Sequence, residues 1–132
     1  MSESDWSMPT ETQKWKHFTE GEMACSHCGL RPMDEHFMAR LDELRERCGF
    51  PLVISSGYRC PEHNDAVSKT GRNGPHTTGQ AVDIAIDGER AYLLLKAAVA
   101  MNFRGIGISQ KGTGRFVHVD DCLEPRPRIW SY

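Results

Sequence analysis

The segment 80–86, QAVDIAI, constrains the fold more than any other part of the chain. Its residues alternate. Val82, Ile84 and Ile86 fall on one face, and Ala81, Asp83 and Ala85 on the other, because successive side chains of a strand point to opposite sides. The pattern predicts a buried strand and sets one carboxylate on a face otherwise made of alanine. Charged side chains are almost never fully buried unless paired. Asp83 is therefore a turn cap, the partner of an arginine, or part of a site.

The flanking sequence supplies the other elements. Phe37, Leu41, Leu44 and Cys48 recur at helical spacing in the stretch 32–49. Gly49 offers a stop there, and Pro51 prevents continuation. Leu52, Val53 and Ile54 form a short strand candidate running into Ser56-Gly57-Tyr58-Arg59, and Pro61 suits the first position of a short helix over 61–67. Residues 67–78, VSKTGRNGPHTT, are polar and glycine-rich, which predicts a loop bordering the site. Asp87 is placed to cap a helix over 89–101, with Tyr92, Leu94, Leu95 and Val99 as its expected core face. The segments 106–108 and 116–120 are the last strands, and the intervening KGTG lets them pair as a hairpin. The tail, LEPRPRIWSY, is expected to be extended at its prolines. The fold class expected is α+β, a small antiparallel sheet with helices packed on one side. Residues 1–16 read as an N-terminal arm and 17–132 as one domain.

A chain of 132 residues suits a single modest core. A formal charge of -2 leaves no basic excess for nucleic acid and no polybasic run for anionic lipid. The N-terminus lacks a charged-then-apolar signal, and no apolar run approaches the roughly 18 residues of a membrane span. The expectation is a monomer made in the cytoplasm that does not insert into membranes. Five cysteines cannot all pair within one chain, so reduced thiols are the default.

The residues with site chemistry lie on three elements. Zinc takes imidazole nitrogen and carboxylate oxygen, and a catalytic zinc keeps three protein ligands and one open position. His76 lies on the loop entering the alternating strand, Asp83 lies on that strand, and His118 lies on another. Asp120 follows His118 by two residues and shares its face, with Phe116. Each residue alone has an ordinary reading: a solvated loop histidine, a paired aspartate, a satisfied core histidine, an Asx turn at a strand end. Spacing alone does not choose between these readings and a metal site.

The run His76-Thr77-Thr78-Gly79-Gln80-Ala81-Val82-Asp83 resembles the first metal motif, Ser-x-His-x-x-Gly-x-Ala-x-Asp, of the zinc D-Ala-D-Ala carboxypeptidase and endopeptidase family, peptidase family M15. That family shares its fold with the hedgehog signalling domain. Ser56-Gly57-Tyr58-Arg59 is similar to an upstream signature of the same family, and Phe116-Val117-His118-Val119-Asp120 to the second metal motif of one branch, which also closes on a tryptophan, here Trp130. Residues 17–25 are similar to a segment preceding the first helix in that family. The resemblance runs over residues 18–132, in order.

The resemblance implies a hedgehog/DD-peptidase-like fold, one catalytic zinc ion held by His76, Asp83 and His118, and Arg59 as the group that holds a substrate carbonyl or carboxylate. It implies hydrolysis of a peptide bond in a peptidoglycan stem peptide or cross-link, for cell-wall lysis or remodelling, as in a phage endolysin or virion enzyme acting on the wall after release. Two positions depart from the family. Gly74 stands where a serine hydroxyl is usual, and Arg115 stands where many members carry the acidic general base. Arg115 cannot accept a proton, and alternation sends it to the face opposite His118. Asp120, on the ligand face, is then the expected base. The alternative is a non-catalytic, zinc-containing binding module, favoured if Asp120 points away from the metal with no other carboxylate replacing it.

Cys25-Ser26-His27-Cys28 is a CxxC knuckle, half a zinc site unless Cys48, Cys60 or His63 completes it. A buried small-apolar pair or a docking turn is the expected reading, and no βαβ pattern supports a redox role. Trp6 and Trp15 are expected to act as packing anchors.

Overall fold

The computed structural model describes residues 15–29, 32–68, 74–123 and 126–132. Most of the expected arm, with Trp6, and residues 69–73 of the expected loop lie outside the described residues. The alternating segment forms β2 (Ala81–Ala85), an interior strand of a five-stranded sheet. One neighbour is β1 (Val53–Ser56) and the other β4 (Phe116–Asp120), both antiparallel to it. On the far side of β4 lie β3 (Gly105–Ser109), antiparallel, and then β5 (Arg128–Ser131). Val82, Ile84, Val117 and Val119 are buried in the core, as the alternation requires.

Two long helices supply much of that core. α2 (Glu35–Cys48) follows α1 (Glu20–Met23), and α4 (Gly88–Ala100) follows β2; a short α3 (Pro61–Val67) lies between β1 and β2. α2 starts at Glu35 because the Asp34 side chain accepts the Phe37 N–H at 2.8 Å. It ends at Gly49, whose φ of 76° places it in the left-handed region that favours glycine. Phe37, Met38, Leu41 and Leu44 are its buried face. α1 is one capped turn: Thr19 and Glu22 form a capping box, and Met23 is buried. Trp15, assigned to the arm by the sequence reading, joins the core, and its Nε1 donates to Glu35 Oε1 at 3.1 Å.

The structure corrects the sequence reading at two places. The buried stripe of α4 is Ala91, Leu94 and Ala98, whereas Tyr92 and Val99 are exposed and Leu95 only partly buried. Both stripes have helical spacing. The one carrying two alanines faces the core, since small side chains let a helix lie close to its neighbours. The tail is not merely extended. Residues 128–131 pair parallel with β3, so the sheet is antiparallel through four strands and parallel at one edge. Among the described residues no helix is long and apolar enough to cross a membrane.

Candidate metal centre

Register brings the centre together. Asp83 of β2 lies directly across from His118 of β4, so the two side chains share a face of the sheet. His76 arrives on a 3-10 turn, Pro75–Thr77, that leads into β2. His76 Nε2 lies 3.1 Å from Asp83 Oδ1, and His118 Nδ1 lies 2.9 Å from the same oxygen. The three residues are buried, and their ligand atoms lie within 4.8 Å of one another.

The outer nitrogen of each imidazole is anchored. His76 Nδ1 donates to the Gly57 carbonyl at 2.8 Å, and His118 Nε2 donates to Asp120 Oδ2 at 2.7 Å. Such outer partners fix the ring and its tautomer, as they do around metal-bound histidines. The inner atoms are then an imidazole Nε2, an imidazole Nδ1 and a carboxylate, a donor set suited to zinc. Burial pushes the Asp83 carboxyl up, but hydrogen bonds from His118 and His76 outweigh it and hold Asp83 well below the usual carboxylate range. Burial pushes His118 down, and its bonds to Asp120 and Asp83 bring it above its ordinary value. The carboxylate and the two imidazole nitrogens facing it are a donor set that fits a divalent ion.

Gly57 has a second duty. A Cβ there would stand 2.7 Å from the Met23 backbone, and the next residue, Tyr58, donates its N–H to the Met23 carbonyl at 2.8 Å. Gly57→Ala is therefore expected to push β1 off α1 and tilt His76. The expected cost is about 1–3 kcal/mol of stability, typical of overpacking, read from the denaturant midpoint, together with weaker metal binding.

Asp120 is brought to the centre but sits behind it. Its side chain is 0% exposed and lies on the Nε2 side of His118, whereas Asp83 lies on the Nδ1 side. Arg126 donates to both of its oxygens, Nε to Oδ1 at 3.0 Å and Nη2 to Oδ2 at 2.8 Å, and the Cys122 N–H reaches Oδ1 at 3.2 Å. Burial raises the carboxyl, but His118 and Arg126 lower it to about 2. Arg126 was not found by sequence reasoning. A signal for it was present in Gly105 and Gly107, alternate residues of β3. A Cβ at Gly105 would overlap the Asp120 carboxylate and Arg126, and one at Gly107 would stand 2.6 Å from the Trp130 indole. The two glycines make room for the groups that back His118.

Arg59 flanks the other side. Its Nη2 is 3.6 Å from Asp83 Oδ2, its backbone N–H donates to the His76 carbonyl at 3.0 Å, and its buried Nε has no hydrogen-bond partner among the described residues. A cavity of about 1060 Å³ opens over the cluster, with Arg59, Phe116, Trp130 and Tyr132 in its walls. Among the described lining residues Asp83 is the one carboxylate. Arg115 stands apart, its Nε donating to Gly112 at the β3–β4 turn.

The family model described as Peptidase M15 matches residues 16–120. The peptidoglycan L,D-endopeptidase MepK of Escherichia coli strain K12 and the protein of the same name from Shigella flexneri are each 34% identical to this chain over 74 residues. The match covers 53% of this chain and 40% of theirs, so it spans less than half the length of these relatives. No solved structure matches the chain.

Proposed function

The chain belongs to the peptidase M15 family, and from that premise we propose that it is a zinc-dependent peptidase cleaving a peptide bond of peptidoglycan, in a stem peptide or a cross-link. The observation that carries this reading is the convergence of His76, Asp83 and His118 on one point at the cavity floor, each imidazole anchored from behind. Zinc bound by three such ligands lowers the pKa of water to about 7 and polarises a carbonyl oxygen.

The chain's own residues supply binding and orientation. Arg59 offers a guanidinium with an unpartnered buried Nε beside the cluster, suited to a substrate carboxylate or carbonyl because it stays charged and binds oxygens in a fork. Asp120, expected from the sequence to move the proton, is assigned to holding His118, since its oxygens are engaged and buried. Trp130 and Tyr132 give the open cavity an aromatic wall. An L,D-bond is the first to test, given the names of the relatives.

The experiment is zinc stoichiometry together with muropeptide digestion followed by mass spectrometry. Zinc binding at the cluster and a defined cleavage product support the reading; a folded protein that takes no zinc there removes it. Arg59→Lys keeps the charge but loses the fork, and is expected to raise KM about tenfold or more, in line with the loss of one charge-assisted hydrogen bond. The reading as a binding module has two observations in its favour: Asp120 sits behind His118, and Asp83 is the sole carboxylate among the described residues of the cavity wall. Zinc-loaded protein that binds muropeptides and leaves them uncut would establish it.

A further inference from the structure

A second cluster of metal-ligating side chains lies outside the centre described above and shares no residue with it. The sulfurs of Cys25, Cys28 and Cys60 lie within 4.8 Å of one another, and none of the five cysteines is in a disulfide. Beside them, His27 Nδ1 lies 3.4 Å from Cys60 Sγ, and the His27 and His63 rings stack with their centroids 5.8 Å apart.

We propose that Cys25, Cys28 and Cys60 hold a structural zinc ion, with an imidazole of the His27–His63 pair as the fourth ligand. Structural zinc sites are closed and tetrahedral, and three thiolates with one histidine is a common set. Zinc–sulfur bonds of about 2.3 Å and zinc–nitrogen bonds of about 2.0–2.1 Å place tetrahedral neighbours about 3.6–3.8 Å apart. The three sulfurs lie within 4.8 Å of one another, and His27 Nδ1 is 3.4 Å from one of them, so closing the site asks only for a short approach of the side chains. Backbone N–H groups already meet two of the three sulfurs. Cys25 Sγ accepts the Cys60 N–H at 3.4 Å and is also met by the backbone N–H groups of Cys28 and His27. Cys60 Sγ in turn accepts the His63 N–H at 3.4 Å. The turn is closed by the Gly29 N–H on the Cys25 carbonyl at 2.8 Å, with Gly29 at φ 77°.

The expected reading of Cys25 and Cys28 as a buried apolar pair does not describe this arrangement, because Cys28 is exposed. The third sulfur comes from a distant part of the chain, the N-cap of α3. An ion there would tie the turn after α1 to the residue that follows Arg59. It would thereby brace the loop that carries the guanidinium to the catalytic cluster, a structural role distinct from the peptidase chemistry.

The test is metal content with cobalt substitution as a second readout. Wild-type protein is expected to hold two zinc ions per chain, and Cys28→Ser and His118→Ala one each. Cobalt-loaded wild type and His118→Ala are expected to show a thiolate-to-cobalt charge-transfer band, which Cys28→Ser lacks. His27→Ala and His63→Ala separate the two candidates for the fourth ligand, and Cys48→Ser retains both ions. A single ion with the thiolate band would sink the catalytic-zinc reading and leave this one standing. A wild type with no thiolate–cobalt band, or with two of the three cysteines joined in a disulfide, overturns the second site. Should Cys28→Ser fail to fold, the wild-type cobalt spectrum decides alone.

Discussion

His118→Ala is expected to abolish both zinc binding at the buried cluster and muropeptide cleavage. The imidazole is the hinge of the centre: its Nδ1 meets Asp83 and its Nε2 meets Asp120. Removing it takes away one of the three proposed ligands, and two ligands rarely hold a catalytic zinc in competition with water. It also opens a cavity between two carboxylates. Asp120 keeps Arg126 and Asp83 keeps His76, so the fold is expected to survive, weakened by about 2–4 kcal/mol for the lost packing and hydrogen bonds. The checks are metal analysis, a denaturant curve and digestion of purified muropeptides. Activity at the detection limit in a folded protein that has lost the ion agrees with the assignment. Cleavage near the wild-type rate would remove His118 from the chemistry.

Much of this centre was readable from residue order because its geometry is local or set by register. Alternation over 80–86 put Asp83 on a small-residue face, and two-residue spacing put His118 and Asp120 on one side of their strand. Strand pairing then needed only to align Asp83 with His118. What stayed hidden depends on contacts that leave no period in the sequence. Arg126 reaches Asp120 from outside any regular element. β5 has four residues, follows Pro127 and pairs parallel with β3, so neither alternation nor a hairpin turn announces it. In α4 the aliphatic stripe and the alanine stripe have the same spacing, and only close packing selects Ala91, Leu94 and Ala98. The contact that Asp120 makes is hidden for a related reason. Sharing a face with His118 implies nearness to its imidazole, but not which nitrogen of the ring the carboxylate meets.

That distinction sets the second large effect. Asp120→Asn keeps the side chain's shape but removes its charge. If Asp120 holds His118, the variant binds zinc about 10–100-fold more weakly, the usual effect of losing a partner behind a metal-bound histidine, and recovers most of its turnover when zinc is saturating. If Asp120 is instead the proton acceptor, zinc affinity changes little and kcat falls about 10²–10⁴-fold at any zinc concentration. The geometry favours the first result. The carboxylate is 0% exposed, both of its oxygens are occupied by Arg126, and His118 stands between it and Asp83. Turnover titrated against free zinc separates the two outcomes. The variant also leaves the Arg126 guanidinium buried against a neutral amide, which is expected to destabilise the fold by about 3–5 kcal/mol. Asp120→Asn combined with Arg126→Gln removes that unpaired charge, so it is expected to recover stability while leaving the zinc defect in place. Recovery of stability without recovery of zinc affinity would tie the metal effect to the His118 contact itself, because the charge imbalance would then be gone and the altered partner of Nε2 would remain.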